Sequence, residues 1–178
     1  MTPPVSPERI LKVLYRHGVD YVVIGGVGAI LQGVELPRTL DLDVAASHGK
    51  TNLRRLTAAL SELDARLRLG TAADAEALAA PIDERMLAGV YVVTMVTRYG
   101  PFDVLFEPPG MPSFKDLKKR ADRLQRFGIE VPVASLEDII ASKRAAGREK
   151  DAAHLTILLD FMASQARDDE RSGRGELS

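Results

Sequence analysis

Apolar residues along the chain alternate between helical spacing and short β-prone runs, and that alternation predicts most of the elements. Ser6-Pro7-Glu8 places an N-cap, a first-turn proline and an acid ahead of apolar Ile10, Leu11, Val13 and Leu14, which predicts a helix stopped by Gly18. Tyr21-Val22-Val23-Ile24 is a continuous run of the kind buried within a sheet, and it ends in Gly25-Gly26. A short helix is expected over 27–32, then a strand over 41–45 after Pro37. Leu53, Leu56, Leu60 and Leu63 recur at helical spacing and predict a long amphipathic helix over 50–67. A loosely specified helix is expected over 71–88, and two strands, 90–97 and 102–106, flank Tyr99-Gly100-Pro101 as a hairpin. A basic helix over 113–127, a strand over 129–133, a helix opened by the capping box Ser135-Leu136-Glu137-Asp138 and a last helix over about 150–164 complete the pattern. The fold class is therefore α/β (α+β). One domain is expected over residues 1–166, its C-terminal part helical from about 135, followed by a polar, flexible tail over 167–178.

Composition narrows the classes. With 178 residues, 46% hydrophobic and 28% charged, the chain is long enough for one domain with a real core. The absence of cysteine excludes disulfides and thiolate zinc sites. No stretch approaches the roughly 20 apolar residues of a membrane span, and the N-terminus lacks a basic-then-apolar signal, so a cytoplasmic protein is expected. A formal net charge of −1 gives no overall pull on nucleic acid. The charge is uneven, however: residues 113–150 carry ten Lys or Arg against six Asp or Glu, so a polyanion is expected to meet that half.

The chemistry centres on Asp41-Leu42-Asp43. Residues two apart on a strand point to one face, so this pair would put two carboxylates side by side, with Leu40, Leu42 and Val44 forming the opposite apolar face. Paired anions need a compensating cation. Magnesium prefers oxygen ligands and takes one or two carboxylates, leaving its other positions for water and substrate phosphates. Asp103 interrupts the apolar strand Phe102-Asp103-Val104-Leu105-Phe106, where an unpaired charge would be costly. If that strand neighbours the first, three acids could hold two metals. Gly25-Gly26, between a strand and a helix, would let backbone amides approach a phosphate closely. There is no Walker Gly-Lys-Ser or Gly-Lys-Thr, nor a third glycine spaced for a dinucleotide fingerprint. His17, His48 and His154 show no metal spacing and read as ordinary.

In order, Val23-Ile24-Gly25-Gly26, Gly33, Arg38-Thr39-Leu40-Asp41-Leu42-Asp43 and Gly100-Pro101-Phe102-Asp103 resemble the nucleotidyltransferase superfamily with the DNA polymerase β-like fold. Within it the chain looks most like the AbiEii/MenT-type toxin nucleotidyltransferases. The resemblance extends through Ala134-Ser135-Leu136-Glu137-Asp138-Ile139-Ile140-Ala141-Ser142-Lys143 to Gly147-Arg148-Glu149-Lys150-Asp151, and so spans roughly residues 20–160. It implies a mixed sheet flanked by helices and transfer of a nucleoside monophosphate from a nucleoside triphosphate (NTP) to an acceptor hydroxyl, with pyrophosphate leaving. Asp41, Asp43 and Asp103 would be the metal-binding and catalytic acids, with Mg2+ or Mn2+ as the metal, and Asp103 would help to deprotonate the acceptor. Lys143 would neutralise triphosphate charge. Gly25, Gly26, Arg38, Thr39 and Arg148 would contact the nucleotide, and Asp151 would position a cation. Many members have Gly-Ser where this chain has Gly25-Gly26; toxin-like and some antibiotic-modifying members share the double glycine. The implied acceptor is RNA, the tRNA 3′ end, and the implied setting a toxin-antitoxin system with a cognate antitoxin protein. The alternatives are a small-molecule, antibiotic-type nucleotidyltransferase and a catalytically silent nucleotide-binding or antitoxin-like subunit.

Overall fold

The computed structural model describes residues 2–37, 39–72, 76–78 and 80–175, without the side chains of 150 and 173–175. In chain order the elements are α1 (Pro7–Arg16), β1 (Tyr21–Ile24), α2 (Gly25–Leu31), β2 (Leu42–Ala46), α3 (Lys50–Glu62), β3 (Arg66–Leu69), β4 (Glu76–Leu78), α4 (Glu84–Ala88), β5 (Val92–Thr97), β6 (Gly100–Leu105), α5 (Phe114–Arg120), β7 (Asp122–Arg126), β8 (Ile129–Val133), α6 (Leu136–Ala146) and α7 (Glu149–Gly175). Among the described residues the strands form one sheet in the order β4-β3-β5-β6-β2-β1-β8-β7. It is mixed: β2 runs parallel to β6 and β1 to β8, while the other neighbours are antiparallel.

Strand alternation splits the core in two. Tyr21, Val23, Leu42, Val44, Val93, Met95, Phe102 and Val104 point into one layer with Ile10, Leu11 and Leu14 of α1, Leu53, Leu56 and Leu60 of α3 and Leu87 of α4. Val22, Ile24 and Ala45 point the other way, into a smaller layer with Ala29 of α2, Leu117 of α5, Ile139 and Ile140 of α6 and Leu158 of α7. Asp43 and Asp103 stand on this second face, because they share the parity of Ile24 and Ala45.

Several expected boundaries are corrected. The helix expected over 50–67 ends at Glu62, because Leu63 is buried as its cap and Asp64 turns the chain in the left-handed region at φ 51°. Arg66-Leu67-Arg68-Leu69 then follows the period of two and pairs with β5. The helix expected over 71–88 is replaced by the short strand β4 and by α4, whose start is fixed by Asp83 accepting a hydrogen bond from Met86 N at 2.8 Å. The basic helix expected over 113–127 stops at Arg120. Residues Asp122–Arg126 form a hairpin with β8 through Phe127 and Gly128, both at positive φ, the geometry of a two-residue type I′ turn. Leu40, assigned to the buried face of the acid strand, is 53% exposed and precedes β2, as does Asp41. The polar tail expected from 167 is helical as far as Gly175, where charged residues simply propagate a helix already nucleated upstream.

Candidate active site

The register of the central strands builds the site. Ile24, the last residue of β1, pairs with Asp43 of β2, and Asp43 pairs with Asp103 of β6. The turn from β1 into α2 therefore lies beside the two acids. Asp41, just before β2, joins them: one carboxylate oxygen from each of Asp41, Asp43 and Asp103 lies within 4.8 Å of the others. The sequence places three acids near one another, and the structure makes them a cluster.

The electrostatics follow. Burial, with the neighbouring Asp41 and Asp103 charges, pushes Asp43 up to about 7, against the weaker pull of Arg148 and Lys143. Burial also raises Asp103 to about 6, the Arg68 guanidinium opposing it and Asp41 adding to it. Three hard oxygen donors that repel one another suit a divalent cation such as Mg2+ or Mn2+. The donor set therefore fits the metal named from the sequence.

Gly25 and Gly26 are required by what they touch. Gly25 has φ +67°, and a Cβ there would sit 2.5 Å from Asp43 Oδ2. A Cβ on Gly26 would collide with Thr39 Cγ2. The double glycine thus lets the strand-to-helix turn press against one acid and against Thr39.

Lys143, expected to neutralise triphosphate charge, is itself buried and paired. Its side chain is 8% exposed, and Nζ donates to Asp151 Oδ1 at 3.0 Å. Arg148 Nε donates to Asp151 Oδ2 at 2.7 Å. Burial pushes Asp151 up, but the bonds from Arg148 and Lys143 hold it below its ordinary value. One carboxylate therefore fixes two cations, joining α6 to the start of α7.

These groups face two adjoining cavities. The larger, about 410 Å³, is lined by Gly26, Thr39 and the three acids together with Lys143, Arg148 and Asp151; His154, read as ordinary, also contributes to its wall. The smaller, about 230 Å³, shares Asp43, Asp103, Lys143 and Arg148 and runs over β5 and α6 past Val92, Thr94, Leu105, Ile139 and Ser142. Arg38 lies outside the described residues. The other two histidines lie elsewhere: His17 pairs with Glu62, and His48 stacks on Phe106 with ring centroids 4.3 Å apart.

The basic surplus of residues 113–150 is divided. Lys143 and Arg148 reach the site. Lys118 pairs with Asp20 at 2.6 Å, at the opposite end of β1 from Gly25 and so about 16 Å away at the usual strand rise. Arg120 pairs with buried Asp138, and Arg123 with Glu130. Much of the expected polyanion surface is thus neutralised by internal ion pairs.

One residue of the site was absent from the sequence reading. Arg68 of β3 donates from Nη2 to both Asp103 oxygens, each at 2.7 Å, with its side chain 5% exposed. Its only sequence signal was the alternation Arg66-Leu67-Arg68-Leu69, which the helical expectation concealed.

No family model matches the chain, and no curated protein matches it. Solved structures do. A protein from Thermotoga maritima described as a nucleotidyltransferase (TM1012) superposes with a TM-score of 0.53 at 18% identity, covering 89% of this chain and 97% of that one. The structure of ANT(2″)-Ia in complex with adenylyl-2″-tobramycin superposes with a TM-score of 0.54 at 14% identity, covering 95% of both chains. The mixed sheet, its flanking helices and the C-terminal helix are those of the nucleotidyltransferase fold. Among the described residues no helix is long and apolar enough to cross a membrane.

Proposed function

We propose that this protein is a divalent-metal-dependent nucleotidyltransferase that moves a nucleoside monophosphate from an NTP onto an acceptor hydroxyl. The observation that carries the reading is the convergence of Asp41, Asp43 and Asp103 beside the Gly25-Gly26 turn. In the reaction the acceptor oxygen bonds to the α-phosphorus, the bond from that phosphorus to the bridging oxygen breaks, and pyrophosphate leaves. Asp41, Asp43 and Asp103 would hold Mg2+ or Mn2+, and a metal there would supply stabilisation of the charge that develops on the reacting oxygens. Asp103 would help to take the acceptor's proton. Gly26 and Thr39 line the cavity where the phosphates would lie, and Lys143 and Arg148, held by Asp151, would balance the charge of the departing pyrophosphate.

The acceptor we propose is RNA, the tRNA 3′ end, with the protein acting in the cytoplasm as the toxin of a toxin-antitoxin pair. Charge supports a polyanionic or neutral acceptor. Among the described residues lining the two cavities, the acids beyond the metal cluster reduce to Asp151, and its two oxygens are taken by Lys143 and Arg148. A polycationic acceptor would meet two cations and no free carboxylate. The second reading, a small-molecule antibiotic nucleotidyltransferase, is favoured by the likeness to ANT(2″)-Ia over 95% of both chains. Incubating the protein with Mg2+, each labelled NTP and either total tRNA or a panel of hydroxylated antibiotics separates the two. Labelled tRNA supports the first reading, and a nucleotide adduct on an antibiotic alone replaces it with the second. No product with either refutes the enzymatic proposal.

A further inference from the structure

We propose that Arg68 is a positioning residue that occupies Asp103 in place of a cation, and so limits the hold of the Asp41-Asp43-Asp103 cluster on divalent metal before substrates arrive. This rests on the metal-dependent reading above. Arg68 reaches the cluster from β3, two strands from β6, and Thr94 of the intervening β5 places its hydroxyl 3.5 Å from the Arg68 carbonyl. The side chain is almost fully buried, and one nitrogen, Nη2, contacts both carboxylate oxygens.

That geometry differs from what a purely structural bridge favours. A guanidinium and a carboxylate usually pair fork to fork, two nitrogens on two oxygens. Here Nη2 takes both oxygens, and buried Nε has no hydrogen-bond partner. The pair consequently gives up a hydrogen bond while leaving a positive charge between the two oxygens, the place a bridging cation would take. Among the described residues, no arginine is hydrogen-bonded to Asp41 or Asp43 as Arg68 is to Asp103; the opposing charges that act on Asp43 are Arg148 and Lys143, both tied to Asp151. Among the described residues the cluster is therefore unequal, with Asp103 alone engaged by an arginine. A divalent ion that recruits Asp103 must displace or repel Arg68, and triphosphate arriving in the cavity would offset that repulsion.

The test is Mn2+ binding to the whole protein without nucleotide at pH 8, followed by the electron paramagnetic resonance of free Mn2+. Wild type is compared with Arg68→Met, Arg68→Gln and Arg68→Lys, each checked for folding by circular dichroism. Arg68→Met and Arg68→Gln are expected to bind Mn2+ at least about tenfold more tightly than wild type, and Arg68→Lys to return towards the wild-type value, since charge repulsion between neighbouring cations is what has been removed. Unchanged or weaker binding in folded Met or Gln variants overturns the proposal, as does failure of both to fold, which would make Arg68 a structural residue. The Asp41→Ala, Asp43→Ala double variant reports on the underlying reading separately: loss of Mn2+ binding supports the metal site, and retention refutes that site and, with it, the role given to Arg68.

Discussion

Asp43 and Asp103 stand directly opposite each other on the parallel strands β2 and β6, and both carboxyls titrate well above the ordinary aspartate range. Between the unfolded value of about 4 and folded values of about 6 and 7, the native protein binds protons that the unfolded chain has released. Stability contributed by these groups therefore falls as pH rises through that window and is flat above it. In EDTA, the melting temperature at pH 8 should lie below that at pH 5. Asp43→Asn should melt higher than wild type at pH 8, and Mg2+ or Mn2+ should raise the wild-type melting temperature more at pH 8 than at pH 5. Equal shifts at the two pH values would remove the acid cluster as their cause.

Removing the proposed metal ligands should abolish chemistry and leave the fold intact. Asp41→Ala with Asp43→Ala deletes two charges from a repulsive cluster, so stability should hold or rise. Turnover should fall by about 10³-fold or more, since metal stabilisation of developing charge amounts to several kcal/mol and each 1.36 kcal/mol is tenfold. Initial rates at saturating NTP, with and without EDTA, check both statements.

The contact between Gly26 and Thr39 predicts a repair. Gly26→Ala pushes a methyl group into Thr39 Cγ2, an overpacking strain of about 1–3 kcal/mol, and should raise the KM for NTP roughly tenfold. Thr39→Ser removes that methyl and keeps the hydroxyl, so the double variant should recover most of the loss. If Thr39→Ser does nothing for Gly26→Ala, the turn is not limited by this contact.

Asp151 separates stability from function. Asp151→Ala leaves Lys143 buried without its partner, and breaking a buried pair this way costs about 3–5 kcal/mol in urea denaturation. Lys143→Met combined with Asp151→Leu should recover much of that stability while keeping a raised KM for NTP, because Arg148 has then lost its anchor. Recovery of both would show that the two cations serve only the fold.

Where local pattern and tertiary environment agree, the elements were legible in the sequence. Tyr21–Ile24 is apolar on both sides and sits in the middle of the sheet, and Ser135 caps α6 through the amide of Asp138, as its capping box expects. The helices expected over 50–67 and 113–127 ran on into strands β3 and β7, because Leu63 and Leu67 keep helical spacing across the Asp64 turn and a basic, polar strand lacks an apolar alternation. That error hid Arg68, whose place beside Asp103 depends on β3 pairing with β5. Asp41, Asp43 and Asp103 stand out in the sequence because each interrupts or ends an apolar run. Of the Lys143-Asp151-Arg148 clamp, a cation partner for Asp151 is legible in the sequence, whereas the burial that fixes Lys143 depends on how α6 meets α7.

The most direct test of the central claim follows the phosphorus. The protein is incubated with Mg2+, total tRNA and NTPs labelled at either the α- or the γ-phosphate, alongside the Asp41→Ala, Asp43→Ala variant. Nucleotidyl transfer predicts that α-label enters RNA, that γ-label leaves only as pyrophosphate, and that the variant does neither. Transfer of the γ-label to an acceptor, or equal α-labelling by wild type and variant, would contradict the account.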